Sequence, residues 1–490
     1  MRQFLLCLCA LGLRADVTLP ALFGDHMMLQ RDRPVRVWGK AAPGETVTVK
    51  APGQTVAAVA DEDGRWSLFL EPMKAGGPHE LSVNSITLKD VLVGDVWLGS
   101  GQSNMEWQVQ NVNNAAEELA SAKHPQLRLF QVAKKVSDIP LDDVEGEWKV
   151  CTPENIKNFS AVGYFFSRAL QQQLKIPMGF IHSSWGGTPA ESWISYQALA
   201  ADPALISVFA DWGNNIENYP RAMDRYARLL AKWEADGKNG PRPQAPVGPG
   251  HPHQVTGLYN AMIAPLTPFA IKGALWYQGE SNSGKNRAYV YRRLFPAMIQ
   301  DWRNRWGQGD FPFFWVQLAN FTTKGQWTEL QEAQSMTLRM ANTGQAVIND
   351  IGNPADIHPR NKQDVGARLA LAARAVAYGE KIEYSGPVFR QATQEGTAMR
   401  IWFDHTGTGL GVRGGADLRG FTIAGADGKF VPAQAKIDGA TVVVVSAGVN
   451  KPVHVRYAWD PNPEANLVNS TGLPASLFRT DAWLDPVLHR

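Results

Sequence analysis

The chain has 490 residues and a formal net charge of +2, with 44% hydrophobic and 19% charged residues. This profile is globular and excludes a wholly disordered chain, and near-neutrality leaves no electrostatic footprint for nucleic acid or an anionic membrane. At about 150 residues per domain the length accommodates about three domains, and past the N-terminus no stretch reaches the roughly 18 apolar residues of a membrane span.

Met1-Arg2 followed by the apolar run Phe4 to Leu13 has the layout of a secretory signal peptide over residues 1–15, with cleavage after Ala15. Cys7 and Cys9 would leave with it, so the mature chain would keep only Cys151 and form no internal disulfide. Export without disulfides suits a bacterial periplasm, or secretion from such a cell. Residues 16–90 then show short alternating runs between turns. Val35-Arg36-Val37-Trp38, Thr46-Val47-Thr48-Val49 and Trp66-Ser67-Leu68-Phe69-Leu70 predict an antiparallel β-sandwich.

From Val91 to about residue 380 the texture changes to short apolar runs alternating with helical patterns, the signature of a parallel sheet flanked by helices. Strands are predicted at Val91–Leu98, Met178–Ile181, Gly273–Tyr277, Phe313–Leu318 and Ala346–Ile348. Helices are predicted at Val162–Leu174, Asn286–Trp306, Gln326–Asn342 and Lys362–Tyr378. Residues 202–253 read as an insertion with one helical piece, Arg221–Trp233, and a loop rich in Pro and Gly. Residues 381–490 return to β-texture at Met399–Phe403, Val442–Ser446 and His454–Tyr457, predicting a second β-rich region. The expected fold is therefore α/β, with accessory β-sandwich regions at both ends.

Chemistry concentrates in loops that follow predicted strands. Gly99-Ser100-Gly101-Gln102-Ser103-Asn104-Met105 leaves the first strand of the α/β region. Glycines there let the chain turn sharply and present Ser103 where backbone N–H groups stabilise negative charge. Alone, such a serine reads as a turn residue or helix cap, so it needs partners. Asp356-Ile357-His358, just before the last helix of the region, offers an imidazole base and a carboxylate to orient it. His182, His251 and His253 are rival bases. Ser183-Ser184-Trp185-Gly186-Gly187-Thr188 and Tyr277-Gln278-Gly279-Glu280-Ser281-Asn282 follow the next strands on the same sheet edge. A Gly186 or Gly187 N–H, the Asn282 amide and the Ser103 N–H are candidate oxyanion donors, with Gln102, Gln278 and Glu280 in supporting places.

These segments, GQSNM, SSWGGTPAESW, WYQGESN and DIHPRNK in this order, resemble the blocks of the SGNH (GDSL-like) hydrolases, and more narrowly the sialate O-acetylesterase family and related polysaccharide acetylesterases. Leu258-Tyr259-Asn260-Ala261-Met262-Ile263-Ala264-Pro265 and the C-terminal Asn466-Leu467, Gly472-Leu473-Pro474 and Phe478-Arg479-Thr480-Asp481 extend the likeness over most of the chain from about residue 20. The resemblance implies a flavodoxin-like α/β/α esterase domain with accessory β domains. Ser103 matches its nucleophile, His358 its base, Gly186 or Gly187 the second-block donor and Asn282 the third. Two departures stand out. The superfamily's acid usually lies three residues before the histidine, where this chain has Ala355, so Asp356 takes the role by proximity. The third block reads GESN, which makes Glu280 an alternative orienting acid or a brace for the Ser103 loop.

The expectation is a serine esterase, without metal or other cofactor, that removes O-acetyl groups from a carbohydrate such as sialate, xylan, xyloglucan or pectin. The 17 Trp suit core packing and sugar stacking alike. Trp107 and Trp185 adjoin the catalytic loops as stacking platforms, whereas Trp276 reads as core. Rival readings are a carbohydrate-binding protein with an inactive esterase core, and a short-chain lipase or thioesterase. The absence of a long apolar lid in the loops favours short acyl groups. No His/Asp cluster has metal-ligand spacing.

Overall fold

The computed structural model describes residues 17–284, 286–415 and 417–481. The expected signal peptide lies outside the described residues. Six short strands come first: β1 (Met28–Gln30), β2 (Val35–Lys40), β3 (Thr46–Ala51), β4 (Gln54–Val59), β5 (Arg65–Leu70) and β6 (Gly76–Val83). Their period-two patterning sets the faces. In β5, Trp66, Leu68 and Leu70 are buried while Arg65, Ser67 and Phe69 face out.

Strand β7 (Ile86–Gly101) is 16 residues long and crosses the boundary expected at residue 90. Its first half pairs antiparallel with β6, and Leu92, Val93 and Gly94 pair parallel with β1. Its second half enters a central sheet with β8 (His124–Gln131), β9 (Trp148–Cys151), β10 (Met178–Ser184), β11 (Gly273–Tyr277), β12 (Phe313–Val316) and β13 (Thr343–Ala346). The β1–β7 layer and the α/β unit share one hydrophobic core.

The central order is β13-β12-β11-β7-β10-β8-β9, all parallel except β9, which runs antiparallel to β8. The chain builds one side of β7 first and then the other, so the order reverses at β7. Ligands bind beyond the carboxyl ends of strands at such a reversal, and β7 there delivers Gly101, Gln102 and Ser103. Both faces of the sheet are covered. Trp97 packs on Phe166 of helix Ala161–Leu174, while Trp276 packs on Phe295 and Trp302 of helix Arg287–Trp306.

The inserted segment forms one 30-residue helix, Ile206–Ala235, longer than the predicted Arg221–Trp233 and carrying Pro220 inside it. Beyond helix Lys362–Val376, strands from Val388 to Arg479 form small antiparallel sheets around a second core of Met399, Ile401, Ile423, Val442, Val455 and Phe478. The fold is thus mixed α/β, with a central mixed sheet and additional β-sheet regions. No helix among the described residues is long and apolar enough to cross a membrane.

Candidate active site

Gly101 makes the turn out of β7. Its φ is +134°, and a Cβ there would lie 2.2 Å from the Tyr277 carbonyl oxygen, so only glycine fits between β7 and β11. Ser103 then begins the short helix Ser103–Glu106. This helix is tied to its neighbour by Ser160, whose hydroxyl donates to the Met105 carbonyl at 2.6 Å.

Residue His358 comes from the loop between β13 and helix Lys362–Val376, whose start is capped by Asn361 accepting from the Asp364 N–H at 3.1 Å. Its Nε2 lies 2.9 Å from Ser103 Oγ across 255 positions of sequence. On the other side, Nδ1 lies 3.6 Å from Asp356 Oδ1. That carboxylate oxygen also accepts the His358 backbone N–H at 2.9 Å. The imidazole stacks on Trp107, with centroids 5.1 Å apart and planes 17° from parallel. Trp107, expected as a sugar platform, therefore gives a ring face to His358. Burial first, and the Lys362 charge second, hold the imidazole below its ordinary pKa, while Asp356 pulls it upward.

Beside the pair lies a buried polar cluster in which Glu280 was expected and Asn104 and Lys362 were not. Asn104 donates to Glu280 Oε1 at 2.6 Å and to the Ile357 carbonyl at 3.0 Å, and its Oδ1 accepts from Lys362 Nζ at 2.5 Å. Glu280 thus braces the Ser103 loop, and the carboxylate beside His358 is that of Asp356. Burial pushes the Glu280 pKa up, and it brings that of Lys362 down to about 7. The Lys362 ammonium lies 5.0 Å from the Tyr277 ring centroid and 5.8 Å from that of Trp107.

The glycine loop after β10 approaches Ser103 from the other side. Gly186 N–H donates to Glu106 Oε2 at 2.7 Å, and Glu106 pairs with Lys134 at 2.5 Å. Gly187 has a φ of +77°, which glycine adopts freely, and a Cβ there would meet nothing within 4 Å. Its carbonyl accepts from Ser281 Oγ at 2.9 Å. Among the described residues the Gly187 N–H has no hydrogen-bond acceptor. Trp185 is half-buried, with Lys134 Nζ 5.5 Å from its ring centroid.

Asn282, expected at the oxyanion, is committed elsewhere. Its amide donates to Glu191 Oε2 at 2.9 Å, and its Oδ1 accepts from the Ala190 N–H at 2.9 Å and from Gln278 at 2.6 Å. Glu191 also pairs with Arg287. Asn282 and Gln278 therefore fasten two loops together from behind. Gln102 accepts the Ser281 N–H at 3.2 Å and fastens the nucleophile loop to the third.

Among the described residues the rival histidines make no hydrogen bond to Ser103. His182 is fully buried between Gln131 (2.6 Å) and Ser184 (2.5 Å), and its pKa is pushed down to about 3, chiefly by burial. His251 and His253 pack edge to face in the insertion, and His253 reaches the Gly187 backbone. Trp276 is core, as expected.

A hydroxyl and an imidazole paired at a sheet edge, a carboxylate behind the imidazole and a glycine loop in front define a class: hydrolases that act on carboxylic esters. Comparison with known proteins narrows it. The family described as "Carbohydrate esterase, sialic acid-specific acetylesterase" matches residues 93–375. Mouse sialate O-acetylesterase is 37% identical over 417 residues, 74% of each chain. The human enzyme is 35% identical over 410 residues, covering 74% of this chain and 72% of its own. A crystallised carbohydrate acetylesterase from Xanthomonas citri superposes with a TM-score of 0.82 at 43% identity, covering 96% of this chain and 100% of that one. The chain belongs to the sialic acid-specific acetylesterase family of carbohydrate esterases and is a carboxylic ester hydrolase.

Proposed function

We propose that this protein is a serine esterase that releases acetyl groups from O-acetylated carbohydrate, on a flavodoxin-like SGNH-type core. The observation that carries the reading is the 2.9 Å contact between Ser103 Oγ and His358 Nε2, made by loops 255 positions apart. Ser103 Oγ attacks the acetyl carbonyl carbon while His358 takes its proton, and Asp356 stabilises the imidazolium that forms. The oxyanion rests on the Ser103 N–H and the Gly187 N–H, because the Gly186 N–H is held by Glu106. Collapse breaks the bond to the sugar oxygen, which leaves with the proton from His358. Water then attacks the acetyl-serine, giving its proton to His358, and acetate departs as Ser103 recovers its hydrogen.

The family and the named acetylesterase relatives support an acetylated sugar as substrate. Sialate and plant-polysaccharide esters both fit this reading. The apolar run at residues 4–13, together with a buried Cys151, supports export to a periplasm or beyond. Acetate release across a panel of acetylated sialate, xylan, xyloglucan and pectin tests the function. Wild type should act on at least one of them, and Ser103→Ala should lose nearly all turnover while unfolding at the wild-type temperature. Unchanged hydrolysis by Ser103→Ala would refute the mechanism, and a preference for butyrate or longer acyl chains would refute the acetyl specificity.

A further inference from the structure

The side chain of Lys362 is an anomaly for a residue in the first turn of an amphipathic helix. A lysine there ordinarily extends into water, yet this one is wholly buried among Asn104, Tyr277 and Trp107. Burying an ammonium is costly unless it is hydrogen-bonded and its charge serves something. Its hydrogen bond goes to Asn104, the residue after the nucleophile. The same amide holds the Ile357 carbonyl, immediately before the base. One cation is therefore linked to both halves of the Ser103–His358 pair.

We propose that Lys362 is a positioning residue of the hydrolysis: held under the pair by Asn104, its ammonium keeps His358 a neutral base and locks the two loops in register. This rests on the serine-esterase reading. Two charged groups act on the imidazole among the described residues, Asp356 from its own loop and Lys362 from the following helix. Glu280 bonds Asn104, and its charge acts on Lys362 rather than on the imidazole. Asp356 favours the imidazolium and Lys362 opposes it, so the pair sets the pH at which the base becomes available. With its pKa near 7, Lys362 is charged over the acidic range in which His358 titrates.

The test is the acid limb of kcat/KM on 4-nitrophenyl acetate for wild type, Lys362→Met and Lys362→Gln. Removing the ammonium should move the limb upward by about one pH unit and lower kcat more than it changes KM. Lys362→Gln, which retains a donor for Asn104, should recover kcat relative to Met without restoring the limb. Should both variants fail to fold, Asn104→Ser, which drops the acceptor that holds the ammonium, takes their place: its acid limb must rise and its kcat fall more than its KM changes. An unmoved limb in a folded variant of either residue overturns the proposal. Ser103→Ala, assayed alongside, separates the two claims. If it abolishes turnover while the limb stays put, only the role of Lys362 falls; if it retains turnover, the serine reading falls.

Discussion

Replacing Asp356 by asparagine removes the carboxylate next to the imidazole while preserving its size. The structure sets the expected loss. The contact to Nδ1 is 3.6 Å, beyond a good hydrogen bond, the carboxylate side chain is 41% exposed, and the same oxygen is already shared with the His358 N–H. A charge pair at that distance in a half-solvated setting is worth about 1–2 kcal/mol, because water raises the effective dielectric well above that of an interior. The rate should therefore fall about 5- to 30-fold, far short of the roughly 10⁴-fold cost of losing a buried, hydrogen-bonded triad acid. Because Asp356 raises the His358 pKa, Asp356→Asn should also move the acid limb to lower pH. Steady-state kinetics on an aryl acetate between pH 4 and 9, at low and high salt, measure both effects. Wild type should approach the variant as salt screens the pair. A loss above a thousandfold would show that the carboxylate bonds Nδ1 directly during reaction. An unchanged rate, paired with a large loss in Glu280→Gln, would transfer the role to Glu280.

Three further outcomes follow from the geometry. Trp107→Ala removes the stacked ring under His358, so kcat should drop about tenfold with KM little changed, as read by the same kinetics. Gly101→Ala places a methyl 2.2 Å from the Tyr277 carbonyl at a positive φ, which should cost more than about 2 kcal/mol in urea unfolding. His182 is neutral in the fold with a pKa near 3, whereas the unfolded chain binds its proton below about pH 6.5. Its contribution is therefore complete above pH 6.5 and lost as pH falls toward 3, about 2 kcal/mol by pH 5. Urea unfolding at pH 7 and pH 5 should show that loss, and His182→Asn should flatten it.

The loops that meet at the candidate site were legible because their signals are local. Apolar runs end in glycine, and the polar residues that follow must then lie on one edge of a parallel sheet. Signals that depend on packing were not. Strands β8 and β9 went unpredicted because His124-Pro125-Gln126 and Lys149 interrupt the apolar pattern, and β9 is an edge strand that needs only one buried face. The helix Ile206–Ala235 was read short because Asn214, Asn215 and Pro220 are poor helix formers and Val208 is its one buried residue. The change of texture read at residue 90 falls inside one strand for a different reason: that strand pairs with both groups of strands, and no composition shift marks where its partners change. Asn282 shows the same limit at the site. Its amide was rightly placed beside the loops, but its direction is set by Glu191 and Gln278, residues of two different segments.

The buried half of the site explains why these loops converge so closely. Buried polar groups are least costly when they find partners, and several here find theirs on a different loop. Asn104 bonds Glu280, Ile357 and Lys362; Gln102 bonds Ser281; Ser281 bonds Gly187; and Gly186 bonds Glu106. Moving any one loop would strand a polar group belonging to another, so the network penalises every arrangement except the one that sets Ser103 against His358. The more exposed half is tied by fewer bonds. Glu106 and Lys134 are 30% and 40% exposed, and Trp185 is half-buried. Among the described residues Lys134 and Trp185 make no hydrogen bond to Ser103 or His358, whereas Glu106 holds Gly186 and His253 of the inserted segment reaches Gly187. The buried network therefore fixes the Ser103–His358 contact, and the partly exposed side chains beside it are those open to a bound molecule.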